Sequence, residues 1–393
     1  STPETLNFTS TQTMTQTTEL AEVWTWWSTP IEMNGVNGLQ MLENSLGTNG
    51  IIIKGQSTSA VYLASLNRWV GNCPISNEAS YSINVSTTPY TIEISGVLAN
   101  PGEHPITISN DWNWIGYPVN QTQSITTALA LNDFQPSAGD VIKGQNASAV
   151  YLSTAIGWRP SNFTFTPGCG YMYKSAATSD KILTFGYSRG DEANIEDVDL
   201  YWQANYTKSE GNITLLGVVS VDGEEQRSEN LELGAFINGE CRGSSRLLYI
   251  EPIDAYYVIM TISGEDGDLI YFELYNAEDG TINTQSESHV VFATNDVIGE
   301  PESPYEVRFG NNSNAEMLKI YPNPVLCNHP FNLNIPNEET ISQLTITDML
   351  GNMVYRSEGN KSSHQTGISV SGIYFVKVIC QSGKIYYGRV VVK

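Results

Sequence analysis

Ile53-Lys-Gly-Gln-Ser-Thr-Ser-Ala-Val-Tyr-Leu63 and Ile142-Lys-Gly-Gln-Asn-Ala-Ser-Ala-Val-Tyr-Leu152 are one segment written twice. Trp24-Thr-Trp-Trp-Ser-Thr-Pro30 matches Trp112-Asn-Trp-Ile-Gly-Tyr-Pro118, and Trp69 matches Trp158. Tyr81 falls near Tyr171, and Tyr90-Thr-Ile-Glu-Ile94 aligns with Lys181-Ile-Leu-Thr-Phe185, all at offsets of 88 to 91 residues. Shared strings of this length mark an internal duplication. Each copy parses into mainly β structure. Trp-x-Trp puts two indoles on one strand face. Pro30 or Pro118, having no N–H, ends that strand. A short helix follows, around residues 38–46 in copy one and 124–131 in copy two. Lys-Gly then reverses the chain between two strands, and copy two closes on Pro167-Gly-Cys-Gly170. The front half is therefore expected to be two tandem, small, β-rich modules with a short helix each, at residues 1–97 and 98–190.

Working outward, residues 191–310 read as an acidic β-sandwich module. Residues 191–309 hold 25 acidic against 5 basic residues, most of the chain's net charge of −23. Asn212-Ile-Thr-Leu-Leu-Gly-Val-Val-Ser-Val221 and Asp268-Leu-Ile-Tyr-Phe-Glu-Leu-Tyr275 are strands, the second with clear two-residue alternation. Asp222-Gly223 and Asn238-Gly239 are hairpin turns. The spacing suggests seven or eight strands. Residues 191–200 read as a linker or first edge. Such a block repels nucleic acid and anionic lipid, and no stretch reaches 18 apolar residues, so no membrane span is expected.

The last segment, residues 318–393, reads as a second sandwich, immunoglobulin-like, of about seven strands. It contains Leu318-Lys-Ile-Tyr-Pro-Asn-Pro324, Leu344-Thr-Ile-Thr-Asp-Met-Leu-Gly-Asn-Met-Val-Tyr355, Ser371-Gly-Ile-Tyr-Phe-Val-Lys-Val378 and Gly388-Arg-Val-Val-Val-Lys393. This order resembles the C-terminal sorting domain of proteins exported by the type IX secretion system of Bacteroidetes. The resemblance implies partnership with that machinery and a secreted or outer-surface location. It also implies removal of the tail from the mature protein. The chain begins at Ser1 without Met, which fits a processed exported chain. The front units resemble a repeat of secreted proteins of the same bacteria, built on Gly-Trp-Asn-x-Ile-Gly-Tyr-Pro, Lys-x-Gln and Pro-Gly-x-Gly-Tyr. Copy one departs from it at Trp27-Ser-Thr29. The middle block resembles a non-catalytic module found ahead of such tails, through Trp202, Val221-Asp-Gly223, Leu233–Gly243, Phe272–Tyr275 and Pro304-Tyr305.

The chemistry-bearing residues are sparse. Cys73, Cys169, Cys241, Cys327 and Cys380 form no Cys-x-x-Cys, and a bridge from Cys327 to Cys380 would staple the tail. The four histidines show no metal-ligand spacing. Gly-x-Ser-x-Gly, His-Glu-x-x-His and phosphate-loop motifs are all absent. Two sets of candidates remain. Trp69, Trp158, Tyr81 and Tyr171 are repeated aromatics that suit stacking against a sugar, against the competing reading of core packing. The same competition holds for Trp24, Trp26, Trp112 and Trp114, where core packing is the stronger reading. Asp222, Asp266, Asp268 and Asp279 lie in Asp-Gly loops where Ca2+ would bind, against ordinary turn formation. The reading is a non-catalytic, adhesin-like surface protein that contacts a glycan or a host or surface protein. The alternative is the ancillary C-terminal portion of a larger secreted protease or glycoside hydrolase.

Overall fold

The computed structural model describes residues 13–20, 24–33, 37–130, 134–188, 199–206, 209–310, 318–335, 340–348, 353–359, 363–364, 368–381 and 385–393. The chain is mainly β, in antiparallel sheets with few helices. It divides into two compact units, Ser1–Gly310 and Asn311–Lys393. The first three sequence segments thus share one unit. Of the linker or first edge expected at 191–200, residues 191–198 lie outside the described residues.

Both copies build the same five-stranded sheet. In copy one the order runs from Trp24–Trp27 through Tyr81–Val85, Gly50–Lys54 and Ser59–Leu63 to Arg68–Asn72. In copy two it runs from Asp111–Ile115 through Tyr171–Ser175, Val141–Lys143 and Ser148–Ser153 to Gly157–Arg159. The Trp-x-Trp strand is an edge strand in both. The helices are Asn37–Leu46 and Ile125–Ala130. Each copy has its own core. Ile53, Leu42, Leu46 and Ile83 are buried in copy one; Ile142, Ile125, Tyr117 and Phe165 are buried in copy two.

The acidic segment is a two-sheet sandwich. One sheet centres on Gly211–Val221, which pairs antiparallel with Ala255–Gly264 and parallel with Val297–Ile298 and Tyr305–Phe309. The other centres on Leu231–Ile237 and Leu269–Asn276. The two sheets hold six and five strands, more than the seven or eight expected. The extra ones are short ladders such as Glu224–Glu225 and His289–Val291, too brief to show as patterned runs. Asp222 and Gly223 hold φ of 52° and 81°, and Asn238 and Gly239 hold 52° and 79°. These are the paired positive values that a two-residue hairpin turn requires.

Gly211–Val221 is apolar on both sides because both sides are covered. Ile213, Leu215 and Val219 face the second sheet. Leu216 faces copy two, in a cluster with Val141, Val150, Leu152, Ile250, Tyr257 and Ile259. Leu269–Asn276 shows the opposite case. Ile270, Phe272 and Leu274 are buried in the core while Tyr271 is 47% exposed. That alternation marks a sheet with one open face.

The second unit pairs a three-stranded with a four-stranded sheet. Gly372–Cys380 is central in the latter, between Ile341–Thr347 and Ile385–Val392. Leu344, Ile346, Val376, Val378 and Val390 form its core. No disulfide joins Cys327 to Cys380, so apolar burial rather than a staple holds this sandwich. Gly351, Asn352 and Lys384 lie outside the described residues.

Candidate functional site

An edge strand leaves a row of backbone groups without partners. Each copy covers the other's Trp-x-Trp edge with the glutamine of its Lys-Gly-Gln turn. Gln56 Nε2 donates to the Trp112 carbonyl at 2.8 Å, and its Oε1 accepts the Trp114 N–H at 2.8 Å. Gln145 Nε2 donates to the Trp24 carbonyl at 2.8 Å, and its Oε1 accepts the Trp26 N–H at 3.0 Å. A primary amide carries the same donor and acceptor as a peptide group, so each glutamine acts as one more rung of the neighbour's ladder. The seam continues through two matched bridges, Trp27 to Cys169 and Ile115 to Ala79. These glutamine and bridge contacts are given and received by equivalent positions, the relation found in an isologous dimer, here within one chain.

Where the chain passes between copies, His104 is clamped by two carboxylates. Its Nδ1 lies 2.7 Å from Glu78 and its Nε2 3.0 Å from Glu32. The hydrogen bond to Glu78, reinforced by Glu32, raises the imidazole pKa to about 9. The same bond lowers Glu78 to about 2. Glu78 in turn accepts the Gly116 N–H through its backbone carbonyl at 2.9 Å, so the clamp holds the seam.

The faces of the two Trp-x-Trp strands dock on the sandwich. Trp26 Nε1 donates to Glu210 O at 2.9 Å, and Trp112 Nε1 to Asn295 O at 3.0 Å. Lys54 Nζ lies 4.8 Å from the Trp24 ring and pairs with Glu210 at 2.7 Å. Its counterpart Lys143 is fully buried, 4.3 Å from the Trp112 ring. Lys143 Nζ donates to Asn212 O at 3.0 Å and Asn295 Oδ1 at 2.8 Å. Burial pushes its pKa well below the ordinary lysine value. Asn212 Nδ2 donates back to the carbonyls of Gly144 and Gln145. These tryptophans thus serve contacts between modules rather than each module's own core.

Three of the four aromatic candidates lie inside. Tyr81 and Tyr171 are each 3% exposed, and Trp158 is 6% exposed. The Tyr81 hydroxyl accepts the Ser76 N–H and donates to Pro74 O. Tyr171 does the same with Thr166 N and Thr164 O. Both phenols therefore tie down matching loops, and burial raises both pKa values, that of Tyr81 to about 12. Trp158 packs on Tyr151 and Tyr173. Their side chains are engaged within the fold. Trp69 is half-buried over Gly50 and beside Tyr62.

The aspartates are turn formers. Asp266 accepts the Thr294 N–H at 2.6 Å, and Asp268 accepts the Glu265 N–H at 2.9 Å. Asp279 accepts both the N–H and the hydroxyl of Thr281. Asp222 sits in the tight hairpin described above. Among the described residues no three His, Cys, Asp or Glu side chains converge as a metal group.

The sequence reading passed over the open face of the sandwich. Tyr201, 53% exposed, stacks on Tyr275 with centroids 4.0 Å apart and planes 16° apart. Trp202 stands edge-on to Phe236 and covers Gly234. Buried Glu232 fixes this arrangement by accepting the N–H groups of Tyr201 and Trp202 and the Ser244 hydroxyl. Tyr271 and Glu273 lie outward on the same strand as Tyr275, and His289 stands opposite Tyr271. His289 also lines an open polar groove with Glu287, Tyr305, Glu306 and Arg308. The signal for this face lay in the alternation of 268–275, whose outward positions are tyrosine and glutamate.

Residues 319–393 match the family described as a secretion system C-terminal sorting domain. No curated protein matches the chain. Among solved structures it is similar, at 21% identity and a TM-score of 0.17, to PorZ, a surface component of the type IX secretion system of Porphyromonas gingivalis. That match covers 33% of this chain and 16% of PorZ. A Bacteroides ovatus SGBP-B, from a mixed-linkage glucan utilization locus and in complex with a mixed-linkage heptasaccharide, is 13% identical. It matches over 74% of this chain and 64% of its own, with a TM-score of 0.16. A DUF3823 family protein of Bacteroides ovatus is 16% identical over 46% of this chain and 97% of its own, with a TM-score of 0.13. TM-scores this low carry no inference about this chain. Among the described residues, no helix is long and apolar enough to cross a membrane. Residues 319–393 are a type IX secretion C-terminal sorting domain, and the chain that carries them is exported by that route.

Proposed function

We propose that this is a non-catalytic surface-binding protein and that it contacts glycans through the open face of its acidic sandwich. The observation that carries the reading is the stacked Tyr201–Tyr275 pair beside exposed Tyr271. Flat aromatic rings pack against the apolar face of a pyranose, and neighbouring polar groups take its hydroxyls. Glu273, His289 and Arg308 supply such groups along the same face and the adjoining groove. The sorting domain supports it by addressing the chain to the outside of the cell, where polysaccharide is met. The duplicated front half carries the sandwich rather than the ligand.

A glycan array probed with the full chain, followed by calorimetry on its hits, tests the reading. Tyr201→Ala and Tyr271→Ala are each expected to weaken binding about 10-fold or more, the scale of losing one well-packed aromatic contact. Trp69→Ala is expected to leave affinity unchanged. An array without hits, or hits indifferent to both tyrosine substitutions, overturns it.

A further inference from the structure

The aromatic face of the acidic sandwich has a length as well as a chemistry. Tyr271 and Tyr275 point to the same side of the strand Leu269–Asn276, so about 13 Å separates them along it. Tyr275 carries the stacked Tyr201 ring, which is 53% exposed, and Tyr271 is 47% exposed. Across the ladder His289 stands directly opposite Tyr271, within about 5.5 Å between Cβ atoms. His289 in turn lines the groove together with Tyr305 and Arg308. Rings and groove thus make one track, longer than a monosaccharide or a disaccharide covers. The sheet face is flat and the groove is open, so neither encloses the end of a chain.

Charge restricts the ligand further. Arg308 is already paired with Glu306 at 2.8 Å. The groove lining adds Glu287 and, among the described residues, no lysine. Residues 191–309 as a whole hold 25 acidic against 5 basic residues. A carboxylated or sulfated polymer approaching this face is repelled by that field. We infer, resting on the glycan reading above, that the track takes the interior of a linear, uncharged polysaccharide, several consecutive sugar units at a time. Two ring platforms spaced along one strand serve only a ligand long enough to reach both. Affinity therefore climbs with chain length and levels off once the track is filled.

Affinity electrophoresis of the full chain reads the charge preference, in gels cast with hydroxyethylcellulose, glucomannan or arabinoxylan and in gels cast with polygalacturonate. Calorimetry with oligomers of cellulose, mannan and xylan, from disaccharide to hexasaccharide, reads the length. Retardation is expected in an uncharged gel and not in polygalacturonate. The matching hexasaccharide is expected to bind about 10-fold or more tighter than its disaccharide, the scale of one added aromatic contact. Tyr271→Ala, at an exposed position, is expected to remove most of that gain with an unchanged melting curve. Equal affinity for disaccharide and hexasaccharide overturns the inference and leaves glycan contact standing. So does stronger retardation by polygalacturonate, or a Tyr271→Ala chain that keeps the full length dependence. No retardation in any gel and no binding heat with any oligomer removes glycan contact itself, and the inference with it.

Discussion

Gln145 and Trp26 are 119 positions apart, yet the glutamine Oε1 accepts the tryptophan backbone N–H at 3.0 Å. With its mate at Gln56, this bond makes the edge of one repeat depend on the turn of the other. Gln56→Ala and Gln145→Ala should each remove two hydrogen bonds and leave ladder groups unpaired. A loss of about 1–3 kcal/mol is expected for each in urea unfolding. Gln145→Glu should be no better than alanine, because a carboxylate cannot donate to Trp24 O. A midpoint within error of wild type for both alanine variants would show that the hooks are dispensable.

Gly116 is the second test of the seam. A Cβ there would lie 2.2 Å from Asn77 O and 2.8 Å from Ala79 O, both backbone atoms. Gly116→Ala should cost about 2–3 kcal/mol, at the upper end of overpacking. Ser28 holds the matching place in copy one, where its hydroxyl donates to Cys169 O at 2.5 Å. Ser28→Gly should therefore also destabilise, by losing that bond. The comparison of the two melting curves checks both.

His104 gives the seam a pH dependence. Its folded pKa of about 9 lies above the ordinary 6.5, so its contribution is complete below pH 6.5 and is lost as pH rises through 9. Glu78, held at about 2 against an ordinary 4.5, contributes above pH 4.5 and loses its share as pH falls toward 2. His104→Gln should flatten the decline between pH 6.5 and 9 by about 1–2 kcal/mol, allowing for solvent screening of the half-exposed carboxylates. Denaturant titrations of both proteins at several pH values measure it. Parallel curves would remove the clamp from the account.

Lys143 reverses that sign. Burial lowers its folded pKa below the ordinary 10.5, so on acidification the unfolded chain takes up this proton first. Stability from the neutral amine is complete above pH 10.5 and declines below it. Lys143→Met keeps the aliphatic stem without the titration. It should match the wild type to within about 1 kcal/mol at pH 7 and show a shallower slope toward pH 10.5. Lys143→Glu should destabilise more than Lys143→Met, by burying a carboxylate against the acceptors Asn212 O and Asn295 Oδ1, with Lys174 as the nearby cation. Unfolding midpoints across pH separate these outcomes.

Much of the architecture could be read from residue order. The repeated Trp-x-Trp and Lys-Gly-Gln strings located matching sheets, and Asp222-Gly223 and Asn238-Gly239 located hairpins. Location did not disclose use. A glutamine in a turn looks like any exposed polar residue until the strand it caps is seen 119 positions away. Tyr81, Tyr171 and Trp158 were repeated because each copy needs the same core, and repetition alone does not separate that need from a binding role. The departure at Trp27-Ser-Thr29 has a cause visible only in three dimensions: Trp27 is fully buried, Ser28 reaches Cys169, and Thr29 donates to Gln16 at 2.5 Å. Tyr201 and Tyr271 were missed because alternation shows that a strand has two faces, not which one is left open.

The reciprocal glutamines also set an order of events. As the chain emerges from its N-terminus, the Trp24–Trp27 edge has no cover until Gln145 has been made. The docking face behind it stays open until Glu210 arrives. Contacts over such separations form slowly, and unpaired strand edges that wait are exposed to wrong partners. The first repeat is therefore synthesised first and completed only after the second repeat and the start of the sandwich have followed it.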